Sequence, residues 1–311
     1  MLVSAAESIL SIIFLIIIGY ILAYRKWFDE KSTNLIVKLI IQVSLPALMM
    51  STLITNFTRQ QFLNSLNGLK IPFMSILLSY LIAVVISKLL KINPSRRGLF
   101  ISMFFNSNTI FMGLPINEAL YGEKSLPYVL LYYIGNTVFF WTFGVYEINK
   151  DGMNGKAKFF SKEVLKNIIS PPLIGFIAGV IIIISGISLP SWFMSSCKYL
   201  GNLTTPLSMI FIGVTIYATN LKDFCLSRDI TGVLLGRFLI CPLIMLGLLV
   251  LNHDTGLMKD VFVIQAAMPV MTNSAIISKR YNSDYKFAAV MISITTILSL
   301  AVIPLYAAFL K

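Results

Sequence analysis

The chain has 311 residues, 57% of them hydrophobic and 12% charged, with a mean hydropathy of +0.83 and a net charge of +12. Globular proteins run about 45–50% apolar and about 25% charged, so a water-soluble fold is excluded for want of polar side chains to cover it. The cysteines Cys197, Cys225 and Cys241 form no CxxC pair and His253 is the only histidine in the sequence, which argues against disulfide scaffolds, zinc sites, histidine triads and HExxH hydrolases. No enzyme is expected.

A helix crosses the hydrocarbon layer with about 20 apolar residues. Apolar blocks between polar punctuation predict spans at 5–24, 34–54, 70–90, 98–121 and 126–148, then at 171–188, 191–219, 230–251, 258–280 and 286–309. The expectation is an all-α integral membrane protein of ten transmembrane helices. The first block carries Glu7 and has neither a basic leader nor a small-residue cleavage site, so it reads as a span and not as a removed signal. Seventeen of the 25 Lys and Arg fall in the loops of one side and five in those of the other. The positive-inside rule then puts both termini outside a cell membrane and the 150–166 loop in the cytoplasm.

The longest polar stretch, 150–163, separates two halves of five spans each. An odd number of crossings makes the second half enter from the opposite face, so a repeat must be inverted, as in many secondary transporters. An offset of 160 residues pairs Pro46 with Pro206, Gly19 with Gly179, Lys38 with Lys198, Met49 with Met209 and Tyr146 with Tyr306. The expected organisation is a first repeat over 1–149, a cytoplasmic linker over 150–168, and a second, inverted repeat over 169–311.

Span 4 has apolar ends and a polar centre, Asn106-Ser107-Asn108-Thr109, followed by Gly113-Leu114-Pro115. Proline lacks the N–H of the helix ladder but suits the first turn of a new helix, so a break over 108–114 with a restart at Pro115 is predicted. Span 9 is interrupted at Pro269, and Thr272-Asn273-Ser274 offers capping side chains for its restart. Non-helical backbone at membrane depth survives only when buried in protein or lining a wet cavity. Breaks in corresponding spans point to a transporter's binding site. The N-termini of the resumed helices carry partial positive charge that suits an anion.

The residues N-T-I-F-M-G-L-P (108–115), A-A-M-P (266–269) with K-R-Y-N (279–282), and S-L-P (44–46) resemble the auxin efflux carrier family in its bacterial branch, which includes malate permeases. The resemblance covers essentially the whole chain. It implies two inverted five-helix repeats with broken helices 4 and 9 crossing at mid-membrane, elevator-type alternating access and organic-anion substrates. It also implies that Asn108 meets the substrate carboxylate, that Asn136 lines the site, and that Pro269 is the crossover proline of span 9. Ser107 and Ser274 stand where plant members often carry proline, so auxin itself is not carried over as the substrate.

The candidate substrate-binding set is Asn106, Asn108, Thr109, Asn136, Pro269, Thr272, Asn273 and Arg237, with Gly113, Pro115 and Pro269 at the helix breaks. Arg237, seven residues into span 8, either balances a substrate carboxylate or snorkels to the inner surface. Glu118 either carries a coupling proton or is a carboxylate held near a helix start. Lys38 and Lys198 read as interface anchors. The Phe/Trp run 139–143 reads as lipid-facing or core packing and not as a cage for a cation. The leading reading is a secondary transporter for a small organic anion. A sodium-coupled symporter of the bile-acid type is the alternative, and a membrane-embedded sensor stands behind both. No resident cofactor or metal is expected, and H+ or Na+ coupling stays open. The expected partners are the anion and the lipid bilayer, with a homodimer open and no nucleic acid.

Overall fold

The computed structural model describes residues 2–152, 170–218 and 227–310. Beyond Gly152, the expected linker over 150–168 lies outside these residues, as does Cys225. The described residues are helical with no strand, as the composition requires. The helices are α1 (Leu2–Tyr24), α2 (Glu30–Asn56), α3 (Arg59–Ser65), α4 (Lys70–Leu89), α5 (Arg97–Phe105), α6 (Leu114–Tyr121), α7 (Glu123–Gly152), α8 (Pro171–Ser185), α9 (Ser191–Ala218), α10 (Arg228–Leu251), α11 (Leu257–Ala266), α12 (Asn273–Arg280) and α13 (Tyr285–Phe309). Of these, α2, α4, α7, α9, α10 and α13 are long and apolar enough to cross a bilayer. Two further apolar helices, Leu10–Tyr24 within α1 and α8, are shorter.

Proline chemistry shapes the long helices from within. A single π-helical turn precedes Pro46 (Ile40–Ser44), Pro115 (Thr109–Gly113) and Pro242 (Gly236–Ile240), ending two residues before the proline each time. The carbonyl four residues before a proline loses its N–H partner and would clash with the ring. A widened turn moves that carbonyl aside. At Pro242 the carbonyl concerned belongs to Phe238, and the Tyr306 hydroxyl donates to it at 2.7 Å.

The chain divides into two compact units. One comprises residues 1–68, 110–131 and 168–218, the other 69–109, 132–167 and 219–311. In the first, α1 packs along the second half of α9, and α8 along the second half of α2. Glycine makes both contacts possible. A Cβ on Gly213 would lie 2.1 Å from the Ile16 carbonyl oxygen, and one on Gly175 2.4 Å from that of Pro46. Backbone-to-backbone approach of this kind is the usual way membrane helices gain contact where no hydrophobic drive separates lipid from side chain.

In the second unit α5 is surrounded by α4, α10, α12 and the end of α7, and residues 98–105 are all buried. The first N–H groups of a helix need outside acceptors. Those of α5 find Asp151, whose carboxylate oxygens accept from Gly98 N–H at 2.7 Å and Leu99 N–H at 2.8 Å. The Ser283 hydroxyl donates to the same carboxylate at 3.0 Å. Nearby in sequence, Arg96 pairs with Asp229 and Asp284 at 3.5 and 3.3 Å.

Candidate functional site

Two chain interruptions meet inside the second unit. After α5 the backbone turns extended at Asn106 (φ −92, ψ 128) and helical turns resume at Thr109. After α11 it leaves the helix at Ala267 and resumes at Asn273. The two non-helical stretches lie antiparallel, with Ser107 opposite Val270 as a single β-bridge. The Asn108 N–H donates to the Pro269 carbonyl at 2.8 Å. Backbone freed from two helices is thus satisfied by pairing with itself, which buried non-helical chain requires.

Side chains complete the accounting. Asn136 of α7 approaches Ser107 as a third strand would. Its Oδ1 accepts the Ser107 N–H at 3.0 Å and its Nδ2 donates to the Ser107 carbonyl at 2.9 Å. The Val270 N–H donates to Thr295 Oγ1 at 3.1 Å, and Gln265 Nε2 to the Thr109 carbonyl at 3.3 Å. Asn106 Nδ2 donates back to the Ser102 carbonyl at 3.2 Å. Asn106, Ser107, Asn136 and Gln265 are fully buried, and Asn108 and Thr109 nearly so. Four buried polar atoms around the crossing have no hydrogen-bond partner: Asn106 Oδ1, Thr137 Oγ1, Gln265 Oε1 and Ser274 Oγ. An unsatisfied buried polar group costs about 1–3 kcal/mol, so each of these atoms calls for a partner. Past the crossing, Met271, Thr272 and Asn273 are half-buried.

Arg237 lies beside both interruptions. It sits in the π-helical turn of α10, is fully buried, and does not snorkel. Its Nε donates to the Met268 carbonyl at 3.1 Å, its Nη1 to the Phe104 carbonyl at 3.1 Å, and its Nη2 to the Ala266 carbonyl. Phe104 and Ala266 stand at the C-terminal ends of α5 and α11, where helix carbonyls lack partners, and Met268 lies two residues past the second.

The break in span 4 is shorter, and lies earlier, than the sequence suggested. Gly113 is helical (φ −64, ψ −42), and Pro115 stands in the first turn of α6. The interruption therefore covers Asn106–Asn108, because the π-helical turn accommodates Pro115 without a gap. Thr272 holds the N-cap position of α12 but is itself helical in backbone and makes no side-chain cap bond.

Glu118 lies elsewhere, in the first unit. The Thr205 hydroxyl donates to its Oε2 at 2.9 Å. With Glu123 and Lys198, which pair at 3.7 Å, it borders a cavity of about 180 Å³ that Ser51, Thr55 and Asn56 also line. Lys198 is 63% exposed on its side chain. Phe139 and Phe140 are buried, and Phe139 stacks on Phe143, which makes that run packing. Ser107 entered the sequence reading as part of the polar centre of span 4 and as a departure from the family pattern, and Gln265 and Thr295 did not enter it. The one signal for Gln265 was an amide four residues before a proline in an apolar span.

Six described helices long and apolar enough to cross a bilayer, beside two interrupted segments paired through neutral amides and hydroxyls, are the build of a membrane protein. The profile of the "Membrane transport protein" family matches residues 4–307, and the chain belongs to that family, which is that of the auxin efflux carriers. It is 26% identical over 304 residues to an uncharacterized transporter of Methanocaldococcus jannaschii, covering 96% of this chain and 97% of the relative. A second uncharacterized transporter, from Methanothermobacter thermautotrophicus, is 25% identical over 314 aligned positions and 98% of each chain.

Proposed function

We propose that this transporter carries a small carboxylate-bearing organic anion as a secondary carrier, by elevator-type alternating access within two inverted five-helix repeats. The observation that carries the reading is the crossing at Ser107 and Val270. There the chain resumes helical turns at Thr109 and at Asn273, and resumed helices present partial positive charge at their starts. Glu147 and Arg237 are the charged side chains among the buried described residues, and Glu147 is engaged by Lys150 and Tyr80. The crossing itself therefore holds no buried carboxylate to repel an anion. Asn108, Thr109, Thr272 and Asn273 are the proposed substrate contacts, while Asn106, Asn136 and Pro269 hold the crossing in shape. The repeat reading draws support from matched packing. Gly19 and Gly179, 160 residues apart, both lie at helix contacts, the first on Ile210 of α9 and the second on Met50 of α2.

The test is uptake by reconstituted vesicles of labelled mono- and dicarboxylates against neutral and cationic solutes, without ATP. Asn108→Ala should weaken substrate binding about ten-fold, the loss of one hydrogen bond to a charged group. Asn108→Asp should abolish binding through like-charge repulsion while the protein elutes as the parent does. Uptake of a cation or a neutral solute, with every carboxylate left at the level of empty vesicles, would end the anion reading.

A further inference from the structure

A guanidinium with no carboxylate is a costly thing to bury, yet Arg237 is the bulkiest of the fully buried described side chains and forms none of the ion pairs seen among those residues. Its counter-charge is backbone. Each helix C-terminus carries roughly half a negative charge, so the ends of α5 and α11 together offer about one. The three carbonyls of Phe104, Ala266 and Met268 form the kind of oxygen cluster that a hard cation takes as ligands. The packing holds the guanidinium in place. A Cβ on Gly236 would lie 2.4 Å from the Phe104 ring, so α10 meets α5 where only glycine fits. The Cys241 thiol reaches the Phe104 carbonyl from one turn further on, at 3.3 Å.

We propose that Arg237 is the resident cation of the crossing, bridging the C-terminal carbonyls of both interrupted segments in the place an alkali-metal ion would otherwise fill, so that transport by this chain is independent of sodium. The proposal rests on the anion-carrier reading above and assigns its coupling. With both C-terminal ends neutralised by a fixed charge, the positive starts at Thr109 and Asn273 are left for the substrate, and no co-transported cation is needed to balance it. Arg237 is in this sense a positioning residue: it acts on the substrate through the backbone it holds.

The experiment has two arms. In vesicles, carboxylate uptake by the unaltered protein should be the same within about two-fold when sodium is replaced by potassium or choline, and Arg237→Ala should lower it about ten-fold or more, as loss of a charge-assisted bond does. Millimolar guanidinium should restore uptake by Arg237→Ala, and urea, its neutral counterpart in shape, should not. Arg237→Lys should fall between, because one ammonium cannot meet three carbonyls in a planar fork. In detergent, guanidinium but not urea should raise the melting temperature of Arg237→Ala, and sodium should leave that of the unaltered protein unchanged. If the unaltered protein moves no carboxylate at all, the anion reading fails and the melting arm alone decides this proposal. If Arg237→Ala does not fold, Arg237→Lys and the sodium titration of the unaltered protein decide it. Sodium-dependent uptake or sodium-dependent melting by the unaltered protein, or guanidinium without effect on Arg237→Ala, would overturn it.

Discussion

Replacing Asn136 by alanine removes a partner from both backbone groups of one buried residue, Ser107. The Ser107 N–H and C=O lose acceptor and donor at 3.0 and 2.9 Å, in a residue with no exposed surface. The N–H is orphaned at a cost of about 1–3 kcal/mol, while the C=O keeps the Thr109 N–H at 3.0 Å and loses a second bond of about 0.5–1.5 kcal/mol, so the substitution should cost about 1.5–4.5 kcal/mol, above the roughly 1 kcal/mol of an average substitution. Two further variants divide the effect. Asn136→Asp keeps an acceptor for the N–H but sets a carboxylate oxygen against the Ser107 carbonyl, so it should be at least as harmful as alanine. Ser107→Ala leaves the backbone pair intact and loses a hydroxyl that lies 3.4 Å from Oδ1 and bonds the Tyr132 hydroxyl, so it should cost less than Asn136→Ala. The assay is thermal unfolding in detergent without substrate, followed by the monodisperse fraction on size exclusion. If Asn136→Ala melts with the parent and loses only substrate affinity, Asn136 is a substrate contact and the strand-like role assigned to it is mistaken.

Asp151→Ala should destabilise the protein by about 1–2 kcal/mol, because it strips the N-terminus of α5 of both cap and charge, with Asp151→Asn losing less; unfolding curves of the two variants check the order. Gly213→Leu should yield little monodisperse protein, since its Cβ would lie 2.1 Å from the Ile16 carbonyl oxygen, whereas Gly247→Leu, with nothing within 4 Å, should purify as the parent does. In a background lacking Cys197, Cys225 and Cys241, an impermeant maleimide should label Asn252→Cys in intact cells and Arg228→Cys only after permeabilisation; the reverse pattern would invert the proposed orientation.

Hydropathy exposed the long helices because spanning segments announce themselves in composition, and Pro115 and Pro269 marked the interrupted ones. Finer features had no such voice. The π-helical turns at Ile40–Ser44, Phe140–Gly144 and Gly236–Ile240 leave the apolar pattern untouched, since one extra residue per turn in an apolar run is still apolar. α3 went unread because Arg59-Gln60-Gln61 resembles a loop. The break was drawn too wide at Gly113 because glycine and proline were taken as interruption, when a widened turn absorbs both. Arg237 was weighed against carboxylates and the membrane surface, the partners that side chains and composition can suggest. Its real partners are carbonyls, which every residue carries and which therefore leave no trace in a sequence. Asn136 and Ser107 stand 29 positions apart, and nothing local told that an amide would serve as a strand.

The pairing of Ser107 with Val270 amounts to a sheet one rung long, and this makes the spacing of the chain there as consequential as its chemistry. Neighbouring residues of an extended strand face opposite ways, so a slip of one position exchanges the two faces. One residue added to or removed from Asn106–Asn108 would turn Asn108 to the side that Ser107 now takes and set a different peptide against Asn136. The same holds between Ala267 and Thr272, where a shift would carry the carbonyls of Ala266 and Met268 away from Arg237. Point substitutions at these positions adjust an interaction, whereas a change of length would rewrite every interaction at once.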